Sequence, residues 1–180
     1  MFDINYRIVD DIDILRGMSA KYFDREWHHI TGFFQVVIGN QWEVSWYHDK
    51  PLYDGETGPE LLEYWFDAFL SVIEILRQSE YVAILEIEIG NRWLEFTRDD
   101  EMVCIKVAVD SFKGNHPLLV TEPRNTFSYL EEKGSIVQWS YFYSLIIAKL
   151  NSFLQDIEKI NPRLLETKII KDIMARKSCV

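Results

Sequence analysis

Apart from its many carboxylates, the chain holds few residues able to do chemistry. His28 and His29 are adjacent. Neighbouring side chains point to opposite faces of a strand, or about 100° apart on a helix, so this pair makes a poor shared metal site. Lying between Trp27 and an apolar run, the two are expected to be structural or at the surface. His48 and His116 stand near loops without ligand spacing, and Cys104 sits in an apolar alternating segment where a small buried thiol is common. Cys179, the other cysteine, has no Cys or His neighbour at ligand spacing. No Gly-x-Ser-x-Gly elbow is present, and Gly55-Glu56-Thr57-Gly58 offers acid, with no lysine, where a phosphate loop would need the reverse. Carboxylates cluster at Asp10-Asp11-Ile12-Asp13, Glu86 with Glu88, Asp99-Asp100-Glu101 and Glu131-Glu132. Glycoside chemistry needs two carboxylates across a cleft, which closeness in sequence does not supply. Glu86 and Glu88 would share one strand face, in water. The sequence therefore predicts a binding protein, without enzymatic activity, metal or cofactor.

Those residues must be held by a frame. Tyr6 to Val9, Ile30 to Ile38 and Trp42 to Tyr47 are rich in aromatic and β-branched residues, as strands are, with Gly39-Asn40-Gln41 as a tight turn. Residues 10–29 carry no clear period. Asp49 to Pro59 concentrates Pro, Gly and Asp and reads as a loop, with Pro59 suited to open a helix. From Glu60 to Gln78 the polar residues Glu60, Glu63, Asp67, Ser71, Glu74 and Gln78 recur every three or four positions. That spacing predicts a helix buried on most of its circumference, with one narrow acidic stripe in water. Tyr81 to Ile89 is a further strand. Arg92 to Arg98 and Met102 to Val109 alternate with period two around Asp99-Asp100-Glu101, as in an antiparallel hairpin. Ser111 to Asn125 is irregular. Helical spacing runs from Ile136 to Ile157, Asn161-Pro162 breaks it, and a last helix covers Arg163 to Ala175. The order is strands, helix, strands, helices. It predicts a single α+β domain over 1–180, an antiparallel sheet packed on a central amphipathic helix and two C-terminal helices.

The 180 residues carry 29 acidic and 19 basic groups, a net charge of −10, and 48% are hydrophobic. This balance argues against nucleic acid and acidic membrane surfaces as partners, since phosphate contacts need Lys and Arg. The opening residues, Met1 to Arg7, alternate in polarity and lack the apolar core of a signal peptide. Two cysteines make no disulfide framework, so a reducing cytoplasm is the expected compartment. Charge is unevenly spread: residues 1–110 hold a net −13 and residues 111–180 a net +3. A one-signed surface accelerates capture of a basic partner. Trp46, Tyr47 and Tyr53 flank or occupy the Asp49–Gly58 loop beside Asp49, Asp54 and Glu56. Such aromatics ringed by charge suit an interface hot spot.

The segments TGFFQVVI (31–38), YWFDAFL (64–70), NRWLEFTRDDEMVCIKV (91–107) and NPRLLETKII (161–170) resemble small acidic immunity proteins of bacterial polymorphic-toxin systems. The likeness is one of layout, over residues 30–170. It implies a protein that binds a cognate toxin domain and protects the producing cell. Many such toxins are nucleases with basic clefts, which an acidic inhibitor plugs with carboxylates in place of phosphates. The contact residues expected here are Trp46, Tyr47, Asp49, Tyr53, Asp54 and Glu56 in the loop, then Glu60, Glu63, Asp67 and Glu74 on the helix stripe. Asp99, Asp100 and Glu101 form a second patch. The alternative is a small intracellular regulatory or scaffold module that binds a protein other than a toxin, its acidity serving solubility.

Overall fold

A computed structural model of the chain describes residues 1–39, 42–87, 89–129 and 134–180. The architecture is α+β, with every strand pairing antiparallel among the described residues. The strands form two sheets where the sequence suggested one. In the first, β2 (Thr31–Ile38) is flanked by β1 (Phe2–Ile8) and β3 (Trp42–Trp46), and the short β4 (Glu60–Leu61) pairs with its start. The second runs β10 (Ser135–Gln138), β7 (Met102–Asp110), β6 (Arg92–Asp99), β5 (Tyr81–Glu86), β8 (Leu119–Val120), with β9 (Phe127–Tyr129) also on β7. The β6–β7 register pairs Phe96 with Ile105 and Leu94 with Val107, so one face of the hairpin is apolar and buried.

Between the sheets lies α3 (Leu62–Leu76), the hub of the core. Trp65 stacks on Phe34 of β2 at 5.0 Å, and Phe69 meets Phe96 of β6 edge-on at 6.0 Å. Phe66 stacks at 4.7 Å on Phe153 of α4 (Trp139–Ile160). The sequence between β1 and β2 folds as α1 (Ile12–Gly17), capped by Asp11, then α2 (Ala20–Tyr22), which runs into a π turn (Phe23–Trp27) ending at His28 with φ +70°. After α4, Asn161 donates to the carbonyls of Leu15 and Met18 and caps a 3-10 turn (Pro162–Glu166). Proline thus ends α4 as expected, and α5 (Lys168–Lys177) follows.

Several local expectations are corrected. Pro59 opens β4, not a helix, because the backbone first pairs with Thr31 and Gly32 before α3 begins at Leu62. Helical structure starts at Trp139, not Ile136. Ser135 and Val137 turn inward while Ile136 and Gln138 turn outward, the alternation of a strand on β7. Glu86 is buried and clasped by the guanidinium of Arg92 across the β5–β6 pair, so it is not in water. Asn40 and Gln41 of the expected turn, together with Glu88 and the Glu131-Glu132 pair, lie outside the described residues. Among the described residues no helix is long and apolar enough to cross a membrane.

Candidate functional site

The Asp49–Pro59 segment is a loop, and close approach of backbone anchors its far end. Gly58 rests on Gly32 so tightly that a Cβ on either residue would overlap neighbouring backbone. The Gly58 amide also points to Val9 O at 3.3 Å. At the near end, Arg7 of β1 donates from Nη1 to Lys50 O at 2.6 Å and reaches His48 O at 3.5 Å. Inside the loop, Glu56 N–H donates to Tyr53 O and Tyr53 N–H donates to Glu56 Oε2, both at 3.1 Å, with Gly55 at φ +80° completing the turn. Glu56 Oε1 lies 2.7 Å from His48 Nε2. Burial alone would raise the Glu56 pKa. The bonds from His48 and the Tyr53 amide, with the charges of His48 and Arg7, outweigh it and hold the carboxyl below its ordinary value. An ionised carboxylate only accepts, so His48 Nε2 carries the shared proton. The His48 ring is wedged between Phe33 at 4.8 Å and Trp46 at 4.7 Å.

This frame leaves two aromatic side chains in water: Trp46 is 52% and Tyr53 70% exposed. With Gln35, Asp49 and Pro51 they border a shallow concavity of about 680 Å³. Asp49 and Asp54 are exposed and Tyr47 is half-buried. Trp46, Tyr47, Asp49 and Tyr53 thus line the concavity, and Asp54 follows Tyr53 in the exposed loop. Glu56 belongs to the same loop but faces inward, with 2% of its side chain accessible. Lys50 and Arg7 stand beside the concavity and offset part of its negative charge.

The acidic stripe from Glu60 to Glu74 faces water only in part, and this is the main correction. Glu60 is buried, accepting from Trp65 Nε1 at 2.7 Å and from the Ser45 hydroxyl. Glu63 is buried as well, accepting from Ile30 N–H at 3.1 Å and meeting His29 Nδ1 at 2.5 Å. Burial, the largest influence, raises the Glu63 pKa against those hydrogen bonds. Asp67 and Glu74 are both held by Arg176 of α5, whose Nη2 is 2.7 Å from Glu74 Oε2 and 2.9 Å from Ser71 Oγ. Glu60 and Glu63 are thus internal struts, joining the segment that opens α3 to β3 and to the start of β2, while Asp67 and Glu74, with 44% and 37% of their side chains accessible, are ion-paired with α5 at the surface.

Asp99, Asp100 and Glu101 do project into water, at the β6–β7 turn, where Asp100 takes φ +51°. Arg98 beside them turns inward, donating to Leu76 O at 3.0 Å with its guanidinium 4.2 Å above the Trp139 ring. Trp139 N–H donates to Glu101 O, and Tyr141 OH to Phe2 O at the start of β1. The loop, by contrast, is seated on Arg7 and Val9 at the end of β1. The two acidic groups lie toward opposite ends of that strand and do not form one patch.

Sequence reasoning missed Arg7, His48, Gly32 and Gly58, which build the frame. Gly32 was the available signal, since close backbone approach is a common reason for Gly in a strand. It also missed Asp110, a buried carboxylate 2.9 Å from Arg124 and 3.5 Å from His116, which pins residues 111–126 over Trp93. His28 and His29 have ring centres 6.4 Å apart, and His29 is occupied by Glu63. The His48–Glu56 pair, with the Tyr53 amide, braces the loop. No family model, curated protein or solved structure matches the chain.

Proposed function

We propose that this chain is an immunity protein that binds a cognate bacterial toxin domain, of nuclease type, and blocks its basic cleft. One observation carries the reading: Trp46, at the end of β3, and Tyr53, in the loop that follows, stand in water on a frame braced by Arg7, His48 and Glu56. A frame fixed before binding loses little conformational freedom on association, and exposed Trp and Tyr are the side chains that dominate interface energetics. Asp49 and Asp54 supply local negative charge, and the net −10 of the chain draws a basic partner from a distance. With Glu56, Glu60 and Glu63 turned inward and Asp67 and Glu74 paired with Arg176, the contact is smaller and more aromatic than the sequence suggested.

The test is calorimetric titration against the C-terminal domain of the toxin encoded beside this gene, together with growth rescue on co-expression. Trp46→Ala and Tyr53→Ala should each weaken binding about thirtyfold, the loss of ~2 kcal/mol typical of a hot spot. Asp49→Lys with Asp54→Lys should slow association and flatten its salt dependence, leaving dissociation nearly unchanged. Full rescue and unaltered affinity in all these variants would refute the assignment of this surface. Tight binding to a partner that is no toxin would favour the regulatory-module alternative.

A further inference from the structure

The outer face of the second sheet is covered along only part of its length. Over Trp93, Leu85 and Ala108 it lies beneath Val120, Phe127 and their neighbours, held by the Asp110–Arg124 pair. Among the described residues that cover ends further along β7. The register places Ile136 beside Cys104, Thr97 on the other side of Cys104, and Gln138 and Asp99 beside Met102, all on this same face. Ile136 is 60% and Met102 40% exposed, and Thr97 and Gln138 are also in water. The strip ends at the β6–β7 turn, where Asp99, Asp100 and Glu101 are exposed, next to exposed Glu80, whose carbonyl accepts from Arg98 N–H at 2.9 Å. Arg98 Nε donates to Asp100 O at 2.8 Å while its guanidinium lies over Trp139, so one cation offsets part of the charge of the four rim acids. At the far end Lys106 is engaged by the Tyr129 ring at 5.0 Å.

From this apolar sheet strip with an acidic rim, we infer a second docking surface that takes a basic, amphipathic segment of a protein partner. An aliphatic or aromatic side chain of that segment seats on Ile136 and Met102, and a Lys or Arg reaches Asp99 and Glu101. Charge decides the occupant. A second copy of this chain would bring a net −10 against −10, and the rim acids outnumber Lys106, so self-association is disfavoured. A basic segment satisfies both the apolar strip and its rim. The surface is separate from the Trp46–Tyr53 loop and does not depend on the toxin reading.

Backbone-amide NMR of the full chain, titrated with a synthetic peptide alternating Leu and Lys, tests the inference. Shifts should centre on Thr97, Met102, Cys104 and Ile136, and saturate. Peptides alternating Gly with Lys, or Leu with Glu, should bind at least about tenfold more weakly, because one lacks the apolar contact and the other the charge. Ile136→Asp, and separately Asp99→Lys with Glu101→Lys, should each cost about tenfold, whereas Trp46→Ala should change nothing. Ile136→Thr guards against misfolding, and both Ile136 variants should melt with the wild type because the side chain is mostly exposed. Shifts centred elsewhere, equal binding of the Gly–Lys peptide, or Ile136→Asp within twofold of wild type would overturn it. A concentration-dependent dimer abolished by Ile136→Asp would also overturn it, assigning the strip to a second copy.

Discussion

Replacing Glu63 by Ala tests whether the acidic face of α3 is a strut or a surface. In the fold its carboxyl accepts from Ile30 N–H at 3.1 Å and meets His29, with 1% of the residue accessible. Alanine leaves the Ile30 donor buried without a partner, a penalty of about 1–3 kcal/mol. It also removes an acidic group from the first turn of a helix, where the macrodipole favours one, adding about 0.5 kcal/mol. Relief of the carboxyl's own desolvation works the other way, and His29, half-exposed, can return to water. The net loss is about 2–3 kcal/mol, which for a domain of this size lowers the melting temperature by about 5–10 °C. A solvent-facing stripe residue would change stability by less than about 0.5 kcal/mol. Urea unfolding followed by tryptophan fluorescence, with thermal melting by circular dichroism, separates the two. Glu63→Gln keeps an acceptor for Ile30 and should lose about 1 kcal/mol or less. The folded pKa of Glu63 is raised above its ordinary 4.5, so the native state binds this proton more tightly than the unfolded chain. Its contribution is therefore most favourable below 4.5 and declines as pH rises toward the native value. Relative to Glu63→Gln, the wild type should lose stability across that window. A Glu63→Ala protein as stable as wild type at every pH would refute the buried-strut account.

Three further outcomes follow from the same contacts. Gly58→Ala forces a Cβ into the Gly32 backbone and should destabilise by about 2 kcal/mol, read as new proteolytic cleavage within residues 49–58 and altered Trp46 fluorescence. Arg176→Met keeps the aliphatic stem but removes the clasp on Asp67 and Glu74. These groups are partly exposed, so the loss should be about 1 kcal/mol, with hydrogen exchange accelerated mainly in α5. Burial pushes the Asp110 pKa up, but the Phe112 amide, Thr126, Arg124 and His116 hold it below the ordinary 3.8. Its stabilisation is thus fully present above 3.8 and is lost as pH falls through the lower native value. Asp110→Asn should flatten acid unfolding over that range, monitored through Trp93.

Much of the scaffold was legible because local period carries it. The two-residue alternation of 92–98 and 102–109 became β6 and β7 in register, and the Asn161-Pro162 break fell where α4 stops. The loop at 49–59, with exposed Tyr53 in it and exposed Trp46 ahead of it, was readable from Pro, Gly and Asp among aromatics. Where two periods met, as at Ile136 to Gln138, three residues fitted either reading, and pairing with β7 chose the strand. The division into two sheets was not readable, because strands of either sheet share the same alternation.

The sequence by itself determined which side chains alternate, where the chain turns and that acid outnumbers base. It did not determine which carboxylates meet water. Helical spacing puts Glu63, Asp67 and Glu74 along one side of α3, with Glu60 just ahead of it in β4, but a polar stripe can face solvent or buried partners equally well. The partners come from far along the chain: Ser45 for Glu60, Ile30 for Glu63, and for Glu74 an arginine 102 residues away. Only packing α3 between the sheets and against α5 brings these groups together. A buried carboxyl is stable only when such bonds replace water.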